Sequence, residues 1–416
     1  MSGFSITRGD ALNITGITDT VAGANSQTLA YSAANRLNSA SGAYGSKTWI
    51  FDGVGNRTSE TNAAVTDSYT YPATNNKLQS IVRNAATVRS FTYDNAGNIA
   101  TDVRSGTTFA YGYNNANRLK TVTSQGNLLG TYTYNGFEQL IKRVITNSGT
   151  ANGTAHTVHD VFGNVIAELD AAGATVREYI WLPEAEIAPT MGSRTTVDRP
   201  MAVVSGVNTT PTLLMVHVDH LHRPVKMTNS TGTSVWSAVY LPWGGAHTIT
   251  GAETLDARFP GQWFQLEAGL HYNWHRAYDP SLGRYTQPDP LGFVDGPGVF
   301  AYTRNSPYRF VDKDGRNTWA MPWCYSSPAA FAACTIPPLI AMCMASSTPP
   351  PTLPTAANDN RPPPDQSDYC SLKPGSGQSV AGGVQCTYQC QGGTIVPQTQ
   401  PGSLCTPYIK RPFWAN

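Results

Sequence analysis

Six aromatic residues recur at nearly even spacing along the first third of the chain, each in the same local setting. They are Tyr31 in LAYSAANRL, Phe51 in WIFDGVGNRT, Tyr71 in YTYPATNNKL, Tyr93 in FTYDNAGNI, Tyr113 in YGYNNANRL and Tyr134 in YTYNGFEQL, at intervals of 20, 20, 22, 20 and 21 residues. A polar stretch, usually with Asn or Gly, follows each aromatic, and then Arg, Lys, Ile or Leu opens a new run. A period of this length signals a repeat architecture. The run into the aromatic alternates, as in Phe91-Thr92-Tyr93, which predicts a strand with Phe and Tyr on one face. Asp94-Asn95-Ala96-Gly97-Asn98 is turn chemistry: Asp and Asn bond their own backbone, and Gly accepts positive φ. The next strand is predicted to open at Ile99. One such hairpin cannot bury its aromatic face alone, so neighbours must stack into a continuous sheet.

Composition agrees with an all-β fold. The 416 residues suit one large β domain or two to three ordinary ones. Charged residues are 13%, against a usual ~25%, while Gly (38) and Pro (29) are frequent, as in short strands joined by turns. No Gly-X-Y period or heptad exists to support collagen or a coiled coil. A net charge of +1 leaves no footprint for nucleic acid. All seven cysteines fall in the last 93 residues and 16 of the 29 prolines after residue 320, so composition changes near 317–321. Residues 1–20 lack a basic start followed by an apolar run, so no signal peptide is read there. The stretch 328–345 approaches the ~18–20 residues of a membrane span, but Pro337-Pro338 interrupts it, and a membrane partner is not expected.

The units FDGVGNRT and YDNAGNI resemble the YD repeats of the Rhs (rearrangement hotspot) proteins, teneurins and the C components of insecticidal toxin complexes. His159-Asp160-Val161-Phe162-Gly163-Asn164-Val165, VREYIWLP (176–183), VHVDHLHRPVKMTN (216–229) and VWSAVYLPWGG (235–245) resemble later units. Residues 258–316 resemble the Rhs-associated core nearly end to end. The marks are Arg258-Phe259-Pro260-Gly261-Gln262, Glu267-Ala268-Gly269-Leu270, Tyr278-Asp279-Pro280, Gly283-Arg284-Tyr285 and Asp289-Pro290-Leu291-Gly292. The resemblance covers about residues 25–316. It implies YD/RHS repeats over 1–245, a core over 246–316 and a variable tail over 317–416. It also implies a sheet that spirals into a hollow shell, here incomplete, leading the tail inside as cargo. The expected partners are this tail, a secretion apparatus and an immunity protein. The expected route is cytoplasmic and then secreted or cell-surface, without a signal peptide.

Asp289 and Asp312 carry the site expectation. The resemblance implies that this pair forms an aspartyl-protease-like site cutting at Arg316–Asn317. Such chemistry needs two carboxylates sharing one proton, one to activate water and one to protonate the leaving group. Asp before Pro or Gly is also a common turn residue. The second motif in the Rhs branch reads Asp-Pro-x-Gly-Leu, whereas here it is Asp312-Lys313-Asp314-Gly315-Arg316. A buried, unpaired Arg316 in place of the leucine would be costly. Asp295 and Asp314 are competing carboxylates.

His217, His220 and His222 form an apparent metal cluster, but strand alternation splits them two and one, so no metal site and no cofactor are expected. Trp263, Trp274 and the Tyr-rich faces define an alternative, a cell-surface carbohydrate-binding or adhesion module. The tail after 316 has no His and no Glu, so no toxin catalytic motif is recognisable in it. Residues 325–346 are expected to form short helices about Pro337-Pro338, and 347–368 an extended Pro-rich linker. The end, 370–416, holds four cysteines with three pairings open. The tail as a whole reads as short and irregular or helical. The opening strands, around 28–53, are expected to leave an unpaired sheet edge.

Overall fold

The computed structural model describes residues 3–147, 152–182, 199–320, 369–372, 378–380, 383–390, 395–400 and 408–410. The chain divides into two compact units, Met1–Ile187 with Arg194–Ala341, and Ala188–Ser193 with Met342–Asn416.

In the first unit, twenty-two strands from β1 (Phe4–Arg8) to β22 (Ala246–Gly251) form one antiparallel sheet. Each strand pairs with the next in the chain. The alternation read from the sequence holds. Phe91, Ile99, Tyr111, Leu119, Val122, Tyr132 and Leu140 are buried on one face, against Leu255, Trp263, Leu266, Leu270 and Tyr272 of the following segment. Each such buried apolar side chain contributes roughly 1.5–3 kcal/mol. That segment carries a four-stranded sheet, β23 (Trp263–Leu266), β24 (Leu270–Asn273), β25 (Arg276–Asp279) and β26 (Arg284–Tyr285), and then the pair β27 (Phe310–Val311) and β28 (Trp319–Ala320). The early strands curl toward the late ones: the Trp49 and Trp243 rings meet edge-on at 5.7 Å, and Tyr308 joins both to Ile14, Leu29 and Leu37.

The unpaired edge does not fall at 28–53. Strands β3 (Gln27–Tyr31), β4 (Leu37–Gly42) and β5 (Gly45–Phe51) have partners on both sides. Two further strands, β1 and β2 (Ile14–Asp19), precede them. Their turn has the repeat geometry, with Gly9 N–H bonded to Asn13 O at 3.0 Å and Leu12 N–H to Gly9 O at 2.9 Å. Arg8 stands where the aromatic would be, which hid this hairpin from the repeat pattern.

The repeat turn explains its own signature. Asp94 N–H donates to Asn98 O at 2.9 Å, Gly97 N–H to Asp94 O at 3.1 Å, and Asp94 Oδ1 accepts Asn98 N–H at 2.9 Å. Gly97 sits at φ +86°, closing a three-residue hairpin loop on a bulge. The aromatic before each turn reaches back one hairpin. Tyr93, Tyr113 and Tyr134 donate to the carbonyls of Leu78, Ile99 and Leu119 at 2.9, 2.9 and 2.6 Å. In the looser repeats His159 Nε2 lies 2.8 Å from Leu140 O, Trp181 Nε1 donates to Val165 O and Tyr240 to Pro224 O. In these six repeats a flat ring with a polar hydrogen satisfies the buried carbonyl, whereas Phe51 carries no such hydrogen and the Tyr31 hydroxyl has no partner.

The second unit contains an antiparallel sheet of β29 (Tyr369–Leu372), β30 (Gln378–Val380), β31 (Gly383–Cys390), β32 (Ile395–Gln400) and β33 (Tyr408–Lys410). The cysteine-containing end, expected to be irregular, is thus stranded. The helices expected in 325–346 and the linker at 347–368 lie outside the described residues.

Candidate carboxylate site

Asp289 and Asp312 converge on one cation. Arg276, at the start of β25, places Nη2 3.0 Å from Asp289 Oδ2 and 3.0 Å from Asp312 Oδ2, and all three side chains are buried. Arg276 Nη1 lies 3.3 Å from Val299 O, its Nε donates to Gly315 O at 2.5 Å, and its plane stacks 3.6 Å from the Tyr285 ring. Five donors in a rigid fork suit this duty, which a lysine could not perform. Sequence reading missed Arg276. Arg258, Arg276 and Arg284 all lie in the same core segment, and nothing in the spacing distinguishes the one that faces both acids.

Asp312 is the better enclosed of the two. Its Oδ2 accepts the Tyr285 hydroxyl at 2.7 Å, and Asn273 Nδ2 donates to both Tyr285 Oη (2.7 Å) and Asp312 O (2.9 Å). Its Oδ1 accepts the N–H groups of Arg316 at 3.0 Å and Asn317 at 3.2 Å. Asp312 thus caps its Asp-x-x-Gly bend with the same side-chain bond as in the repeats and at the same time touches the amide nitrogen of the Arg316–Asn317 bond. Burial pushes its carboxyl up to about 7, against the pull of Arg276 and the Tyr285 hydroxyl and with the help of the Asp314 charge. Asp289 is also raised, first by burial and less by Asp295 and Asp314, with Arg276 opposing. Its own turn is fastened by Leu291 N–H on Oδ1 at 2.8 Å.

The competing acids have other partners. Asp314 Oδ2 takes Arg316 Nε at 2.9 Å and Nη2 at 2.8 Å, so Arg316 is paired and part-exposed rather than buried and alone. Asp295 accepts Thr318 Oγ1 at 2.6 Å and faces Arg304 at 3.4 Å. Gly261 of the RFPGQ motif brings the backbone within reach of this loop. It has φ +79°, and a Cβ there would lie 1.8 Å from Lys313 O.

The remaining candidates do not assemble into sites. Strand β19 (Thr212–Val218) ends before the histidines are spent, and Asp219–Arg223 form a repeat turn, so the stretch is a strand followed by a turn. His217 Nε2 lies 3.0 Å from Thr228 Oγ1, and His220 stacks on Tyr308. Among the described residues no three His, Cys, Asp or Glu are placed to hold a metal ion. Trp263 is buried edge-on to Tyr179 at 4.9 Å, while Trp274 stacks on His275 and donates to Phe137 O. These rings are committed to packing rather than offered as platforms. No helix among the described residues is long and apolar enough to cross a membrane.

Together these features define an all-β repeat protein with a buried, cation-bridged carboxylate pair beside one peptide bond. No family profile matches the chain. It is 29% identical over 254 residues to double-stranded DNA deaminase toxin A of Burkholderia cenocepacia, covering 57% of this chain and 18% of that protein. It is 36% identical over 99 residues to toxin protein Tse5 of Pseudomonas aeruginosa, covering 24% and 8%. Among solved structures, TcdB2-TccC3 without its hypervariable C-terminal region aligns over 75% of this chain and 18% of that one, at 16% identity and a TM-score of 0.49. The chain therefore shares sequence with toxin proteins and spans less than a fifth of the length of the two named here.

Proposed function

We propose that this chain is the body of a toxin-associated repeat protein that holds its own C-terminal segment and severs it at Arg316–Asn317. The observation that carries the reading is the contact of Asp312 Oδ1 with the Asn317 N–H, while Asp312 Oδ2 and Asp289 Oδ2 share Arg276 Nη2. In the hydrolysis, Asp289 takes a proton from water as the water oxygen bonds to the Arg316 carbonyl carbon. Protonated Asp312 then gives its proton to the Asn317 nitrogen as the C–N bond breaks. A carboxyl near 7 is half protonated at neutral pH, which suits a general acid. Arg276 lets two buried acids stand together that would otherwise repel.

The resemblance to Rhs proteins and the two toxin relatives support the same assignment. The tail acts as cargo, the protein is exported, and a secretion apparatus and an immunity protein are the outside partners. Gel filtration of the purified chain tests the holding role. The severed tail should co-elute with residues 1–316 in native buffer and separate from them in denaturant. A tail that elutes alone in native buffer overturns the holding role and leaves the cut standing.

A further inference from the structure

Cys370 and Cys390 stand directly opposite one another in the antiparallel register of β29 and β31. Opposed residues in such a pair have Cα atoms about 4.5 or 5.5 Å apart, depending on which kind of pair they form. Both values fall inside the roughly 4.4–6.8 Å that a disulfide spans. Cys386 occupies the same face of β31 four residues earlier, but its register partner in β32 is Gln398. Sequence alone leaves three pairings for the four cysteines at 370–416, and the strand register favours one of them.

We propose that Cys370 and Cys390 form a disulfide that locks the second unit once the chain has left a reducing compartment. One S–S bond forms between the two Sγ atoms, and the two thiols lose two protons and two electrons. The disulfide of an oxidised small thiol or of a thiol–disulfide oxidoreductase receives them and becomes two thiols. Cytosolic thiol pools would keep the pair reduced and the strands unlinked. The first 323 residues contain no cysteine, so oxidation there has nothing to cross-link. The bond would therefore act on the C-terminal segment alone, tying β29 to β31 after export.

Chymotrypsin separates all four cysteines, because Tyr369, Leu372, Tyr388 and Leu404 lie between or beside them. The full chain is incubated with oxidised glutathione, its free thiols are alkylated, and it is digested without reduction for mass spectrometry. The expected product is peptide 370–372 joined to peptide 389–404, released by reduction. The proposal is overturned if 370–372 is joined to any other peptide, or if Cys370 and Cys390 are recovered alkylated after oxidation. This outcome is independent of whether Arg316–Asn317 is cut, since both forms contain residues 370–404.

Discussion

The Tyr113 hydroxyl donates to the carbonyl oxygen of Ile99 at 2.9 Å, one step of a ladder in which the aromatics of successive repeats, Tyr93, Tyr113 and Tyr134, satisfy the backbone of the repeat before. Tyr113→Phe should therefore cost about 0.5–1.5 kcal/mol or somewhat more, because a buried acceptor is orphaned. The Tyr31 hydroxyl is buried without a partner, so Tyr31→Phe should cost less. Chemical denaturation of both variants checks the order; a larger loss at Tyr31 would contradict the ladder.

Asp312 gives the fold a pH dependence of defined sign. Burial raises its carboxyl to about 7, so between about pH 4 and 7 the folded chain keeps a proton that the unfolded chain has released. Stability from this group is full below its ordinary range and is lost as pH rises through 7. The slope is at most ~1.4 kcal/mol per pH unit. Asp312→Asn should flatten that slope in thermal melts from pH 4 to 8. An unchanged slope would show that Asp312 is ionised throughout.

Arg276 separates two buried acids, and removing it leaves both uncompensated. Arg276→Gln should destabilise the chain by about 3–5 kcal/mol at neutral pH. The loss should shrink near pH 5, where a neutral carboxyl no longer needs the cation. Equal losses at the two pH values would argue against the bridging role.

Gly261→Ala combines a left-handed φ with a collision against the Lys313 carbonyl, next to Asp312. An overpacking cost of ~1–3 kcal/mol is expected. Cleavage at Arg316–Asn317 should slow beyond what the stability loss explains, read as the rate at a temperature where the variant is fully folded. A rate equal to wild type would show that the RFPGQ turn does not position the site.

Much of this was legible in the residues. Tyr93, Asp94 and Gly97 carry strand, turn and bulge within five positions, so the repeats and the buried face follow from local chemistry. The first hairpin was hidden because Arg8 and Leu12 occupy the aromatic and glycine positions, although its backbone makes the same turn bonds. His159 and Trp181 lie in segments that the sequence already places among the later, looser repeats, and each supplies the polar hydrogen that tyrosine supplies elsewhere. The site was half visible. Asp289 and Asp312 announce themselves by motif, but Arg276 and Tyr285 reach them only through the packing of β25 and β26 against the loop. The pairing of Arg316 with Asp314 likewise depends on a turn that the sequence offers but does not orient.

The most direct test of the cut is the intact mass of the freshly purified full chain, with the amino-terminal sequence of any small fragment. The account predicts two species, residues 1–316 and a tail that begins at Asn317, and a single intact species for Asp312→Asn. A wild-type chain that stays whole under native conditions between pH 5 and 8, or a tail that begins at another residue, would contradict it.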